Sequence, residues 1–84
     1  MPKVEVTIKL YGILRADVVQ RELLLKANTL QDVFEQLVDL GIDRKLLRGA
    51  LVFINDAPLS GALRRKHQLE RGDTIALLSP AGGG

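Results

Sequence analysis

The sequence contains no cysteine and only one histidine, His67, among its 84 residues. Without cysteine the chain can form no disulfide, no thiolate metal site and no cysteine nucleophile. No nucleophilic side chain is paired with His67, so we interpret it as a surface histidine and not as a catalytic base.

Long apolar runs and an excess of one charge are also absent. No run is long enough to cross a membrane, and no secretory signal pattern precedes the first strand-like segment. The 12 basic and 10 acidic residues give a net charge of +2, which is too balanced to indicate nucleic-acid binding. We therefore expect a cytoplasmic protein that binds neither membrane nor nucleic acid.

The length and composition are those of one small folded domain. Hydrophobic residues make up 46% of the chain and charged residues 26%, which argues against disorder. A chain of 84 residues has no room for a second core.

The first quarter of the chain predicts a strand hairpin. Apolar and polar residues alternate from Val4 to Tyr11, which indicates a strand with one buried face, and Gly12 ends the pattern. Residues 18–25 predict a second strand, and the short connection favours antiparallel pairing.

An amphipathic helix follows, beginning at Leu30. Thr29 is a suitable N-cap, Asp32 suits the positive end of the helix dipole, and Gly41 stands where a left-handed C-terminal cap is expected. Apolar residues recur at helical spacing and form one stripe. The stripe consists of Leu30, Val33, Phe34, Leu37 and Leu40.

The second half alternates strands with polar segments. We predict a strand over residues 50–55, a turn over 56–58 and a last strand over 74–78. Residues 43–49 are polar and basic with Leu46 and Leu47 as anchors, and residues 59–69 fit either a short strand or one helical turn. The order predicts an α+β fold, a β-grasp with a mixed sheet of about five strands and one main helix on one face.

The chain closes with a glycine-rich tail, residues 80–84, beyond a folded domain of residues 1–79. Pro80 fixes its own φ and stiffens the base, while Ala81, Gly82, Gly83 and Gly84 form a thin stalk. Those four residues could reach roughly 13–14 Å when extended. The reactive group at the tip is the carboxylate of Gly84, which can enter another protein's active site. The simpler interpretation is a frayed end.

A second surface is predicted from the strand pattern alone. If Val52 and Leu77 face the helix, neighbouring residues of the same two strands face away from it. These outward residues are Leu51, Phe53, Ala76 and Leu78. Such an apolar patch beside the tail is typical of a partner interface, although a covering loop or a strand that is apolar on both faces would explain it too.

The pattern of residues 71–84, Gly-Asp, a hydrophobic strand, proline and terminal glycines, resembles the ubiquitin-like sulfur carriers of the MoaD/ThiS family. Residues 6–12, 14–15, 28–30 and 53–55 add to a likeness that covers essentially the whole chain. It is strongest to the MoaD branch, the small subunit of molybdopterin synthase. Leu78 and Ser79 replace an aromatic and a proline common in the family, and Gly82 replaces an alanine, so the branch stays open.

The resemblance implies a carrier and not an enzyme. A MoeB-like activating enzyme would use ATP to adenylate the carboxylate of Gly84, and a sulfur donor would convert it to a thiocarboxylate. A MoaE-like large subunit would then take the sulfur to build molybdopterin. The carrier itself would bind no cofactor or metal.

Three alternatives remain open from the sequence. The chain could be a ubiquitin-like modifier conjugated to lysines, a ThiS-type carrier for thiamin thiazole synthesis, or a binding module with an idle tail. The basic cluster Arg64–Lys66 could be a solvated loop or could steer an acidic partner.

Overall fold

The computed structural model describes residues 3–12, 22–61 and 64–79. The described elements, in chain order, are β1 (Val4–Gly12), β2 (Glu22–Ala27), α1 (Leu30–Asp39), α2 (Arg44–Arg48), β3 (Leu51–Ile54), β4 (Ala57–Leu59) and β5 (Thr74–Ser79). A 3-10 helix, Arg64–Lys66, lies between β4 and β5. No helix in these ranges is long and apolar enough to span a membrane.

The strands form one mixed sheet in the order β2-β1-β5-β3-β4. β1 and β5 run parallel, and every other neighbouring pair is antiparallel. The parallel pair joins the two ends of the chain, and the helices between them cover one face of the sheet. The predicted α+β β-grasp is confirmed, as is the opening hairpin, although residues 18–21 of its predicted second strand lie outside the described residues.

α1 begins at the predicted residue, but the last member of the predicted stripe, Leu40, is the C-cap and is 51% exposed, so the buried stripe ends at Leu37. The Thr29 hydroxyl accepts from the backbone N–H of Asp32 at 3.3 Å, and the Asp32 carboxylate accepts from the N–H of Thr29 at 3.3 Å, a reciprocal capping box. Gly41 has a φ of 107°, which places it in the left-handed region. The N–H of Ile42 then donates to the carbonyl of Leu37 at 3.1 Å, as in a Schellman motif.

The core lies between α1 and the inner face of the sheet. Its members share near-complete burial and come from every layer of the fold. The largest are Ile8, Leu10, Leu30, Leu37, Ile42, Leu47, Ile75 and Leu77. Burial of a continuous apolar surface from one helix stripe and one sheet face is the main stabilising term for a domain of this size.

One local prediction was wrong. The turn after β3 consists of Asn55 and Asp56, with φ values of 50° and 71°, and not of residues 56–58. Asparagine and aspartate tolerate this left-handed geometry, which suits a two-residue hairpin. Ala57 and Pro58 instead belong to β4, an edge strand in which proline loses no ladder hydrogen bond.

The basic segment after α1, for which the sequence predicted two anchors but no element, is helical. It forms a short helix, α2, capped by the Asp43 carboxylate, which accepts from the N–H of Lys45 at 2.7 Å. Leu47 is buried and Leu46 half-buried, so the two predicted anchors do hold this segment against the core.

A polar lock fixes the start of β5. The carboxylate of Asp73 accepts from the side-chain amide of Asn55 at 2.9 Å and from the N–H of Glu70 at 2.9 Å. The side-chain amide oxygen (Oδ1) of Asn55 accepts in turn from the backbone N–H of Thr74 at 2.9 Å. Asp73 is only 9% exposed, so these bonds replace water for a nearly buried carboxylate.

We predict that Asp73→Ala lowers the free energy of unfolding by about 2 kcal/mol, because it leaves two donors without their acceptor. Urea denaturation measures the change. Glu70→Ala is the matched control, since it removes an exposed carboxylate from the same turn. Equal losses in the two variants would contradict the role given to Asp73.

Candidate functional site

The strand that precedes the predicted tail, β5, lies at the middle of the sheet. β5 pairs with β1 on one side and with β3 on the other. Near its end, Leu78 stands opposite Tyr11 and Leu51, and Ser79 stands opposite Gly12. Ladder pairing on both sides therefore holds the last described residues of the chain. Pro80, Ala81, Gly82, Gly83 and Gly84 lie outside the described residues, and their role stays a prediction.

The four predicted interface residues lie together on the face opposite α1. Leu51 pairs with Leu78 across β3 and β5, and Phe53 pairs with Ala76. Leu51 is 50% exposed, whereas its neighbour Val52 is 2% exposed and points to the core. That this surface receives a partner stays a prediction.

One further residue of this surface escaped the sequence analysis. Tyr11 is 44% exposed and pairs with Leu78 from the β1 side. The sequence could have identified it, because Tyr11 lies two residues after Lys9 in a strand that alternates strictly, and the two side chains therefore lie on the same outward face. We call Tyr11, Leu51, Phe53, Ala76 and Leu78 the outer patch.

The basic cluster is not simply a solvated loop. The Arg64 guanidinium donates to the carbonyl of Ala50 at 2.9 Å and to that of Arg48 at 3.0 Å. It also lies 5.8 Å from the centre of the Phe34 ring. Arg48 is the last residue of α2, and a cation beside its carbonyl stabilises the negative end of the helix dipole. Arg64 therefore joins α2, α1 and the 3-10 helix, while Lys66 is exposed.

The remaining candidates carry no catalytic geometry. His67 is half-buried, and its backbone carbonyl accepts from the N–H of Leu30 at 3.2 Å, so this segment supports the start of α1. The carboxylate of Asp73 accepts from the side-chain amide of Asn55, which gives it a structural role. Within the described ranges no group of three or more histidine or acidic side chains could hold a metal ion.

Comparison with known proteins identifies a family and several similar folds. The sequence model of the ThiS family matches residues 8–84. No curated protein sequence matches.

Among solved structures, a chain in the complex of subunits 1 and 2 of the molybdopterin-converting factor from Helicobacter pylori 26695 is similar, with a TM-score of 0.72 and 23% identity over 96% of this chain and 100% of that chain. The small archaeal modifier protein 1 (SAMP1) from Methanosarcina acetivorans gives a TM-score of 0.77 and 23% identity over 98% of each chain. Urm1 from Trypanosoma brucei gives a TM-score of 0.71 and 20% sequence identity over 98% of this chain and 97% of that chain. At these identities the likeness establishes the fold.

The two faces of β3 should respond differently to the same new side chain. We predict that Leu51→Thr lowers the free energy of unfolding by less than about 1 kcal/mol, because position 51 is half exposed on a strand. Val52→Thr buries a hydroxyl in the core and should cost about 2 kcal/mol. Thermal or urea unfolding of the two variants measures both, and the reverse order would place the outer patch on the wrong face.

Proposed function

Because the chain belongs to the ThiS family, we propose that it is a ubiquitin-like sulfur carrier whose C-terminal carboxylate, on Gly84, is converted to a thiocarboxylate. We further propose that the sulfur is donated in the biosynthesis of molybdopterin. The chain is then a substrate and a subunit, not a catalyst. The observation that carries the proposal is that the family match extends through the glycine tail to residue 84.

The chemistry requires two successive group transfers, the first at the α-phosphorus of ATP and the second at the carboxyl carbon of Gly84. A carboxylate oxygen of Gly84 attacks the α-phosphorus of ATP, the bond to the β-phosphate breaks, and pyrophosphate leaves. A sulfur nucleophile at the oxidation level of sulfide then attacks the carbonyl carbon of the acyl-adenylate. AMP leaves with the oxygen that carried it, and the thiocarboxylate remains. The carrier contributes position alone, and the partner enzymes supply every catalytic group.

The geometry supports this division of labour. The strand that precedes the tail is central, and both of its neighbours pair with it up to its last residues. Because β5 is held by its neighbours, the entropy lost when a partner orients the terminal carboxylate is limited to the few residues that follow this strand. Glycines 82–84 carry no side chain that would prevent a narrow channel from closing around the backbone.

Two partners follow from the proposal. A MoeB-like activating enzyme would bind the carrier for adenylation, and a MoaE-like large subunit would accept its sulfur in the cytoplasm. We propose that the outer patch is the docking surface for these partners, since it includes exposed apolar side chains and lies along β5, the strand that precedes the tail. The name of the Helicobacter pylori neighbour, a complex of two subunits of the molybdopterin-converting factor, supports the large-subunit partner. The SAMP1 neighbour keeps conjugation to proteins as the second candidate function.

The tail experiment follows the intact mass of the chain. We predict that incubation with ATP, a MoeB-type activating enzyme and sulfide replaces one oxygen of the chain by sulfur. A chain lacking Gly83 and Gly84 should keep its mass, because the reacting carboxylate no longer reaches the active site. Adding a molybdopterin synthase large subunit and its pterin substrate should then return the mass to its starting value.

Other outcomes separate the alternatives. An unchanged mass, with an enzyme that thiolates its own carrier, would indicate an idle tail. Ladders of conjugates in a lysate would indicate a protein modifier. A thiocarboxylate that the large subunit leaves intact would place the carrier in another sulfur pathway, such as thiamin thiazole synthesis.

The docking role of the outer patch is tested with a charge placed in it. We predict that Leu51→Glu raises the KM of the activating enzyme for the carrier about tenfold while kcat changes little. A docking contact is made equally in the bound complex and in the transition state, so its loss weakens binding alone. Leu24→Glu is the matched control, an exposed leucine on the same face but on the edge strand β2. Equal effects of the two variants would argue against the outer patch as the docking surface.

A further inference from the structure

The two edges of the sheet are built very differently. β4, at one edge, has three residues and contains Pro58. β2, at the other edge, has six residues, contains no proline, and carries three consecutive leucines, 23–25. Short strands and prolines are common ways to prevent an edge from pairing with another chain. Among the described residues, the β4 edge therefore has both of these features, and the β2 edge has neither.

The direction of the backbone bonds shows that Pro58 faces outward. The N–H of Asn55 donates to the carbonyl of Thr74 at 2.8 Å, so Asn55 and Phe53 turn their backbone groups toward β5. Pro58 is the partner of Phe53 in the β3–β4 ladder. Its backbone nitrogen consequently faces away from β3, toward the open edge, where proline has no N–H to offer.

The same reasoning identifies the open groups of β2. The N–H of Thr7 donates to the carbonyl of Asp73 at 2.9 Å, so Thr7 and every second residue of β1 bond toward β5. Thr7 is the partner of Leu24 in the β1–β2 ladder. Leu24 therefore turns its N–H and carbonyl outward, as do Glu22 and Lys26, which share its parity.

We propose that the β2 edge pairs with β2 of a second copy of this chain, antiparallel, with the two-fold axis at Leu24. Leu24 then faces Leu24 of the second copy as a hydrogen-bonded pair. Glu22 faces Lys26 of the second copy, and Lys26 faces Glu22. The result is one continuous ten-stranded sheet made from two five-stranded ones.

The charged residues and leucines of β2 favour a second copy of this chain as the partner of its open edge. The strand carries one acidic and one basic residue at equal distances from Leu24, so only the antiparallel self-pairing in this register places opposite charges together twice. On the outer face Leu24, 66% exposed, meets its own copy. On the inner face the half-buried Leu23 meets Leu25 of the second copy in a closely spaced pair.

One existing bond at this edge is compatible with the pairing. The side-chain amide of Gln36 donates to the carbonyl of Lys26 at 2.6 Å. A carbonyl oxygen has two lone pairs, so the carbonyl of Lys26 can accept from Glu22 of the second copy as well. The contact joins only one strand from each copy, and we expect a weak dimer that forms at high concentration.

The test uses charge inversion with recovery on mixing. Sedimentation velocity of the full chain should show a concentration-dependent dimer, and the amide signals of Glu22, Leu24 and Lys26 should shift on dilution. Glu22→Lys and Lys26→Glu each replace two attractive pairs by two repulsive ones, and each should weaken self-association about tenfold. An equimolar mixture of the two variants should recover the dimer, because each contact then joins a lysine to a glutamate.

Mixing also controls for effects within one chain. Glu22 pairs with Lys9 and Lys26 pairs with Glu5 inside the monomer, so either variant alone disturbs its own sheet. Mixing changes no residue in either copy, and recovery cannot arise from those intrachain pairs. A full chain that stays monomeric at all concentrations, variants that associate as the full chain does, or a mixture that does not recover would each overturn the proposal.

A cysteine at the axis gives an independent measurement. Hydrogen-bonded pairs have Cα atoms about 5.5 Å apart, within the range that a disulfide spans. Because the chain has no cysteine of its own, Leu24→Cys and the exposed control Ser60→Cys are both single-thiol proteins. Under mild oxidation the Leu24→Cys variant should form the covalent dimer faster, and equal rates would count against an axis at Leu24.

Discussion

The insertion of β5 between β1 and β3 is the interaction on which the rest of this structure depends. It joins a parallel neighbour and an antiparallel one from distant parts of the chain. The hydrophobic core closes only when Ile75 and Leu77 take their places beside the inner residues of β1 and beneath α1. The lock between Asp73 and Asn55 fixes where this strand begins, so it also sets the register at which β5 ends.

The proposed chemistry and the proposed assembly use separate parts of the sheet. The outer patch lies on β5, β3 and the end of β1, whereas the self-pairing edge is formed by β2 alone. A two-fold axis at the β2 edge leaves both outer patches on one side of the joined sheet. It also points the two β5 strands in opposite directions, so that two activating enzymes need not compete for space. Neither proposal requires the other to hold.

Much of this architecture follows from local sequence signals. The helix was predicted with its N-cap, its buried stripe and its left-handed glycine, because each of these depends on residues within one or two turns. β3 and β5 are apolar on both faces, so their orientation was a hypothesis from the sequence, and the burial of Val52 and Leu77 confirms it. The alternation of β1 fixed which of its side chains enter the core.

The parts that could not be predicted depend on distant contacts. Arg64 looked like one member of a basic loop, and its function as a cap for α2 appears only when the fold brings the carbonyl of Arg48 within 3.0 Å of its guanidinium. The turn at Asn55 was misplaced because Pro58 is a strong turn signal, yet it lies at an outward position of an edge strand. The proposed chemistry of the tail depends on partner enzymes, so it does not follow from the residue pattern of the domain.

The central position of β5 also relates the completeness of the fold to the presentation of the tail. A chain that has not yet inserted this strand exposes two unpaired strand edges, on β1 and β3, and lacks the buried side chains of β5. In that state the terminal glycines extend from a disordered segment, and no assembled outer patch stands beside them. A partner that requires patch and tail together would thus discriminate against incompletely folded chains, so that docking itself serves as a quality check before ATP is consumed.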